Sequence, residues 1–237
     1  MSILLLNGPP FSSLFWKEVQ RRLEHHHLNS QCFDFLQHAN TLQDAASITA
    51  QQIQEKNIQY VVAHGLAVPV ALEVAAQHSV EHLILSNGPL QNSPVLQFLS
   101  RFPAILMQQL LRPTLSIPFC ASSIAFRRLV VNPYVMERDT IVSLCEENLS
   151  SPEYRKNTAK YVRSLQNFQA NLSATNTQCY FLWGDADKLF PAKTIDSIPL
   201  KKSTSETIFI PGGEHFHPIE RPWALADQIH NLITTRH

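Results

Sequence analysis

Glu24 to His27 reads EHHH, the densest run in the chain of residues able to ligate a metal or carry a proton. Adjacent histidines on a helix leave from different faces and do not converge on one ion. The run therefore reads as a solvated helix end, where protonated histidine complements the helix dipole. Cys32, Cys120, Cys145 and Cys179 lie far apart, with neither metal-ligand spacing nor a disulfide framework, and read as small core or lid residues. No metal and no cofactor is expected. The six glycines carry more information: Gly8, Gly65, Gly88, Gly184, Gly212 and Gly213 each sit just past a short apolar run. The carboxyl ends of such runs form the edge where open α/β sheets bind ligands. One of them is Tyr60 to Leu72, YVVAHGLAVPVAL, which reads as a strand, a sharp turn with Gly65 at its apex, and a helix of small residues. Glycine takes the positive φ of a tight apex at little cost.

These turns need a frame. Apolar runs recur at Ile3 to Leu6, Cys32 to Phe35, Gln59 to Ala63, His82 to Leu85, Cys179 to Trp183 and Thr207 to Ile210. Most are continuous, as expected of strands buried on both faces of a parallel sheet. Helical patterns fall between them at Leu14 to Leu23, Leu42 to Lys56, Ala67 to Gln77 and Trp223 to Thr234. Alternation of this kind predicts a doubly wound α/β sheet. From about Pro89 to Ala174 the alternation stops. LQFLSRFPAILMQQLLRP (Leu96 to Pro113) predicts two apolar amphipathic helices, with Pro103 as a first-turn proline, and Met136 to Leu149 and Ser151 to Gln169 predict two more. The expected division is a core of residues 1–88 and 175–237 with an inserted helical cap at 89–174. Its apolar helices are expected to cover the core, the alternative being contact with a membrane or a protein partner.

The chain has 237 residues, 44% hydrophobic and 16% charged, with 19 Lys+Arg balanced by 19 Asp+Glu. That is the composition of an ordinary globule. No basic stripe is present, which argues against nucleic acid as a partner. The opening MSILLLNGPP has no cationic start and too short an apolar run for a signal peptide or a membrane span. With no disulfide framework, a reduced cytoplasmic protein is expected.

On four motifs the sequence resembles the α/β-hydrolases, in the capped esterase and carbon–carbon hydrolase branch. LLLNGPPFSSLFW (Leu4 to Trp16) is similar to the first core strand and oxyanion-hole loop, with Asn7-Gly8 where the family has His-Gly. VVAHGLAVPVAL is similar to the nucleophile elbow. CYFLWGDADKLFP (Cys179 to Pro191) resembles the acid loop and places the catalytic acid at Asp187. IPGGEHFHPIERP (Ile210 to Pro222) resembles the histidine loop and places the base at His215. Nucleophile, acid and histidine keep the family's order. The usual strands before the first core strand are expected to be short or missing. The resemblance further implies a small apolar or acyl-type substrate.

Two positions depart from the family. The nucleophile position is Gly65, which cannot attack anything; losing such a nucleophile costs on the order of a millionfold in rate. The oxyanion hole would draw on the N–H of Leu66 and of the residue after Asn7-Gly8, which is Pro9 and has no N–H. Gly8, Ser12, Ser13, His64 and Ser86 are candidate pocket residues, with loop capping the ordinary reading of Ser12 and Ser13. Asp185 reads as a turn residue, and His217 as solvated or a lid contact. Three functions follow. The first is an enzyme using His215 and Asp187 as general acid or base on a small apolar substrate under the lid. The second is an inactive homologue acting as a binding or scaffold protein. The third is a hydrolase with a relocated nucleophile.

Overall fold

The continuous apolar runs become the inner strands of a six-stranded sheet, every neighbouring pair of which is parallel. The computed structural model describes residues 2–78, 80–116, 138–170, 177–199 and 205–234. In chain order the strands are β1 (Ser2–Asn7), β2 (Asn29–Phe33), β3 (Tyr60–His64), β4 (His82–Ser86), β5 (Gln178–Gly184) and β6 (Ser205–Ile210). Their spatial order is β2-β1-β3-β4-β5-β6.

Side chains alternate across this sheet into two cores. Leu4, Leu6, Val61, Ala63, Leu83, Leu85, Phe181 and Trp183 meet α2 (Leu42–Glu55) and α3 (Val68–Gln77) on one face. Ile3, Leu5, Tyr60, Val62, Ile84, Tyr180 and Leu182 meet α1 (Lys17–His25) and the C-terminal helix (Pro222–Thr234) on the other. Burial on both faces is why the inner strands read as continuous apolar runs. The edge strands are half open to water and correspondingly polar, NSQCF and SETIFI. Hence the second strand is not the expected Cys32 to Phe35 but Asn29–Phe33. Asp34 ends it by accepting the Leu36 N–H at 3.2 Å and starting a 3-10 turn, Phe35–Gln37.

The expected helix from Leu14 is also two pieces. Ser12 caps a 3-10 turn (Ser13–Trp16), which leads into α1. The EHHH run does end a helix in solvent, with Glu24, His25 and His27 exposed, but His26 is half-buried. His26 and Arg22 both bond Asp227 of the C-terminal helix, at 2.7 and 2.8 Å, and the His26 ring stacks on His230 at 4.1 Å between centroids. These contacts join the two helices that cover one face.

Between β4 and β5 lie α4 (Pro94–Ser100), α5 (Ala104–Leu110), α6 (Arg138–Ser150) and α7 (Pro152–Ser164), with a further helical turn at 113–116. No described residue of this segment joins the central sheet; one antiparallel bridge, Gln91 to Gln169, draws its ends together. Pro103 is the N-cap of α5 rather than a first-turn residue. Polar bonds tie the segment down. Tyr161 donates to the Leu66 carbonyl at 2.6 Å, Asn157 to the Leu36 carbonyl at 2.9 Å, and Asn148 to Asp34 at 2.9 Å. Among the described residues no helix is long and apolar enough to cross a membrane. Cys145 and Cys179 are buried and Cys32 is half-buried, with no disulfide among the described residues, while Cys120 lies outside them.

Candidate active site

Strands β1 and β3 are neighbours, paired through Asn7 and His64, so the loops after them start side by side. From β1 the chain crosses to α1 on one face; from β3 it crosses to α3 on the other. This divergence is the switch point at which open α/β sheets form a ligand crevice. Gly8 and Gly65 stand on its two lips. A Cβ on Gly8 would lie 2.6 Å from the Leu66 nitrogen, so only glycine lets the two loops touch. Gly65 has φ +58°, the left-handed conformation that glycine adopts freely. Its surroundings are open: an added Cβ would find only His215 Nε2, at 3.9 Å, within 4 Å among the described residues outside its chain neighbours.

The loops after β5 and β6 bring His215 to this point. Asp187 Oδ2 lies 3.1 Å from His215 Nδ1, and both residues are buried. The other carboxylate oxygen accepts the backbone N–H groups of Leu189 at 2.7 Å and Phe190 at 3.1 Å. Two fixed donors hold the carboxylate, the carboxylate holds Nδ1, and Nε2 is left facing the empty apex. Opposite it, Leu66 supplies one backbone N–H beside Gly8. Pro9 and Pro10 supply none, and the next N–H, that of Phe11, turns back to the Gly8 carbonyl at 3.4 Å.

A chamber of about 130 Å³ lies between these groups, with Gly8, Pro9, His64, Gly65, Leu66 and His215 in its walls. It shares Pro9, Phe11, Leu66, Leu99 and Phe216 with a second cavity of about 570 Å³. Phe98, Phe102, Met107, Leu110, Leu149 and Val162, from the helical segment between β4 and β5, line that larger space. Its volume suits a small organic ligand, and its lining is almost wholly apolar.

The other candidates fall elsewhere. Ser12 is buried and caps the 3-10 turn, Ser13 is exposed, and neither lines either cavity. Asp185 is an exposed turn residue. Ser86 does not reach the chamber. Register pairs it with His64, and its hydroxyl sits between His64 Nδ1 at 3.2 Å and His217 Nε2 at 3.0 Å. His217, expected at the surface or against the lid, is fully buried in this network. The sequence reading missed Asn87, which has φ +41° and bonds the Glu214 carbonyl at 2.9 Å and His217 Nδ1 at 3.0 Å. Its one legible signal is a polar Ser-Asn-Gly at the end of a buried strand.

Burial holds His217 down to about 4, the nearby His215 adding to the shift while the Glu214 carbonyl and Asp187 oppose it. Burial also holds His64 well below the usual value, reinforced by His215 and His217. Both therefore fold as neutral imidazoles. The unfolded chain binds a proton on each near pH 6.5, and His217 in the fold does so only near 4. Stability present above about pH 6.5 is thus lost as the pH falls, by about 3 kcal/mol for His217 alone by pH 4. Asp34 works the other way. Burial lifts its carboxyl to about 6, so its contribution weakens as the pH rises from about 4 to 6. Denaturant titrations across this range should give a shallower acid slope for His217→Gln than for the unaltered protein, by about one proton. Parallel slopes would show that His217 is charged in the fold.

No family model matches the chain, and no curated protein matches it in sequence. Solved structures do match in shape. A thermophilic esterase from Thermogutta terrifontis superposes with TM-score 0.74 at 18% identity, over 99% of this chain and 90% of that one. The Cif epoxide hydrolase from Acinetobacter nosocomialis gives 0.77 at 14% identity, over 98% and 82%. An alpha/beta hydrolase fold protein from Burkholderia ambifaria gives 0.71 at 15% identity, over 99% and 90%. At such identities the likeness is one of architecture, and together with the parallel sheet, the elbow after β3 and the loops after β5 and β6, it gives this chain the α/β-hydrolase fold.

Proposed function

We propose that the protein is an α/β-hydrolase-fold enzyme in which His215, oriented by Asp187, acts as general acid or base on a small apolar substrate. Residues 89–174 act as a cap over a core formed by 1–88 and 175–237. The observation that carries this reading is His215 Nε2 facing the empty space over Gly65, with Asp187 fixed behind it by two backbone donors. A binding protein has no chemical need of so fixed a pair. No covalent acyl-enzyme forms at Gly65. The chemistry that fits is proton abstraction or delivery, as in a lyase, an isomerase or a cyclase, or attack by a water that His215 deprotonates. The apolar walls of the larger cavity fit an uncharged or acyl-type molecule.

The missing donor at Pro9 supports a second reading, a binding or scaffold protein that keeps the cavity without the reaction. A relocated serine has less support, since Ser12, Ser13 and Ser86 stand outside both cavities. A fluorophosphonate probe, which reports an activated serine, is expected to leave the protein unlabelled. Stoichiometric labelling at any of these three serines would establish the relocated nucleophile instead.

A further inference from the structure

The polar atoms under the elbow form a chain whose directions can be worked out end to end. Asn87 Oδ1 accepts the Gly184 N–H at 2.8 Å, which fixes the amide and turns Nδ2 toward His217. Nδ2 donates to the Glu214 carbonyl at 2.9 Å and lies 3.0 Å from His217 Nδ1, with the His215 carbonyl farther away at 3.3 Å. His217 Nδ1 also lies 3.3 Å from the Glu214 carbonyl, which could take a proton from it, but a proton on Nδ1 would set donor against donor across the shorter 3.0 Å contact with Asn87, so a bare Nδ1 accepts there. His217 is neutral, so its proton sits on Nε2 and is donated to Ser86 Oγ at 3.0 Å. The Ser86 hydroxyl hydrogen is then free for His64 Nδ1 at 3.2 Å. His64 is left with its proton on Nε2. That nitrogen is buried and has no hydrogen-bond partner among the described residues, and His64 is one of the residues lining the chamber beside Gly65. Buried donors are rarely left unsatisfied, so the N–H requires an acceptor that the chain does not supply from this network.

We propose that the Asn87–His217–Ser86–His64 chain positions His64 as a fixed hydrogen-bond donor to an uncharged ligand, accepting oxygen being supplied by a carbonyl or hydroxyl group held in the chamber. It rests on the same chamber as the proposed function but not on His215 doing chemistry. The oxygen it holds is a second anchor, distinct from one facing the Leu66 N–H. Ser86 and His217 are positioning residues, because they act through His64. Desolvation keeps both histidines neutral and so protects the directionality of the chain. The sequence shows none of this, since the four residues are brought together by strand register and by the loop after β6.

Imidazole nitrogen NMR tests the assignment without any substrate. The free protein should show His64 with a protonated Nε2 and a bare Nδ1. Addition of methyl heptyl ketone should move the Nε2 proton resonance downfield, and n-nonane should not. The shift should persist in His215→Gln, which separates this proposal from the proposed chemistry. Ser86→Ala should release the tautomer, giving a mixed or reversed His64 signal, while Ser86→Thr, which keeps the hydroxyl, should restore it. A protonated Nδ1 in the free protein would overturn the proposal. So would a ketone that leaves the Nε2 resonance unmoved, the result expected if a water joins His64 to the equally unpartnered Asn7 Oδ1. If Ser86→Ala fails to fold, the free-protein tautomer and the ketone titration still decide.

Discussion

Gly65→Ser, made alone, should leave the hydrolysis of a small activated ester slow; made together with Pro9→Ala, it should raise kcat/KM by roughly a hundredfold or more over the single variant. The new Cβ would sit 3.9 Å from His215 Nε2, which leaves the hydroxyl within hydrogen-bond reach of the base. Outside the chain neighbours, no described side chain has to move for the Cβ. The backbone cost is that of holding a non-glycine residue at φ +58°, about 1 kcal/mol. Nucleophile, base and acid would then be complete, and the reaction would still lack a donor. The developing oxyanion would meet the Leu66 N–H on one side and the prolines on the other, a shortfall of about 3 kcal/mol at the transition state. Pro9→Ala alone should do nothing for esters, because no nucleophile is present. Equal rates for Gly65→Ser with and without the Pro9 change, in folded proteins, would show that the second donor comes from elsewhere and that Pro9 is not a lesion.

The legible parts of the fold were those buried on both faces. β1, β3, β4 and β5 read directly as apolar runs, whereas β2, an edge strand with the sequence NSQCF, was shifted by its own polarity and by the Asp34 cap. The loops that place Asp187, His215 and Gly65 were legible as motifs, since each is a local pattern of glycine and polar residues after a strand. The His64–Ser86–His217–Asn87 network was not. Its members are paired by register between β3 and β4 and by a turn that folds back over both, and neither leaves a spacing to read. His217 in particular reads from sequence as solvated or a lid contact, yet it is sealed in the structure.

The central claim is that His215 moves protons on a bound ligand without a nucleophile, and proton exchange measures this directly. Methyl heptyl ketone or a related medium-chain carbonyl compound, incubated in heavy water, should gain deuterium beside its carbonyl faster with the protein than without it. His215→Gln keeps the size and polarity of the side chain but cannot act as a base. It should lower the protein-dependent rate by roughly a hundredfold to ten-thousandfold, the range typical of a lost general base. Binding should be followed in parallel through the ligand's own NMR signals, so that exchange is compared only where both proteins hold the ketone. Asp187→Asn should fall between the two, since it leaves the base in place and loosens its orientation. Deuterium uptake falling with His215→Gln at unchanged binding is the result this account predicts. Bound ketone exchanging at the same rate in the unaltered protein and in His215→Gln would contradict it, and would make the protein a carrier that has kept the histidine without its reaction.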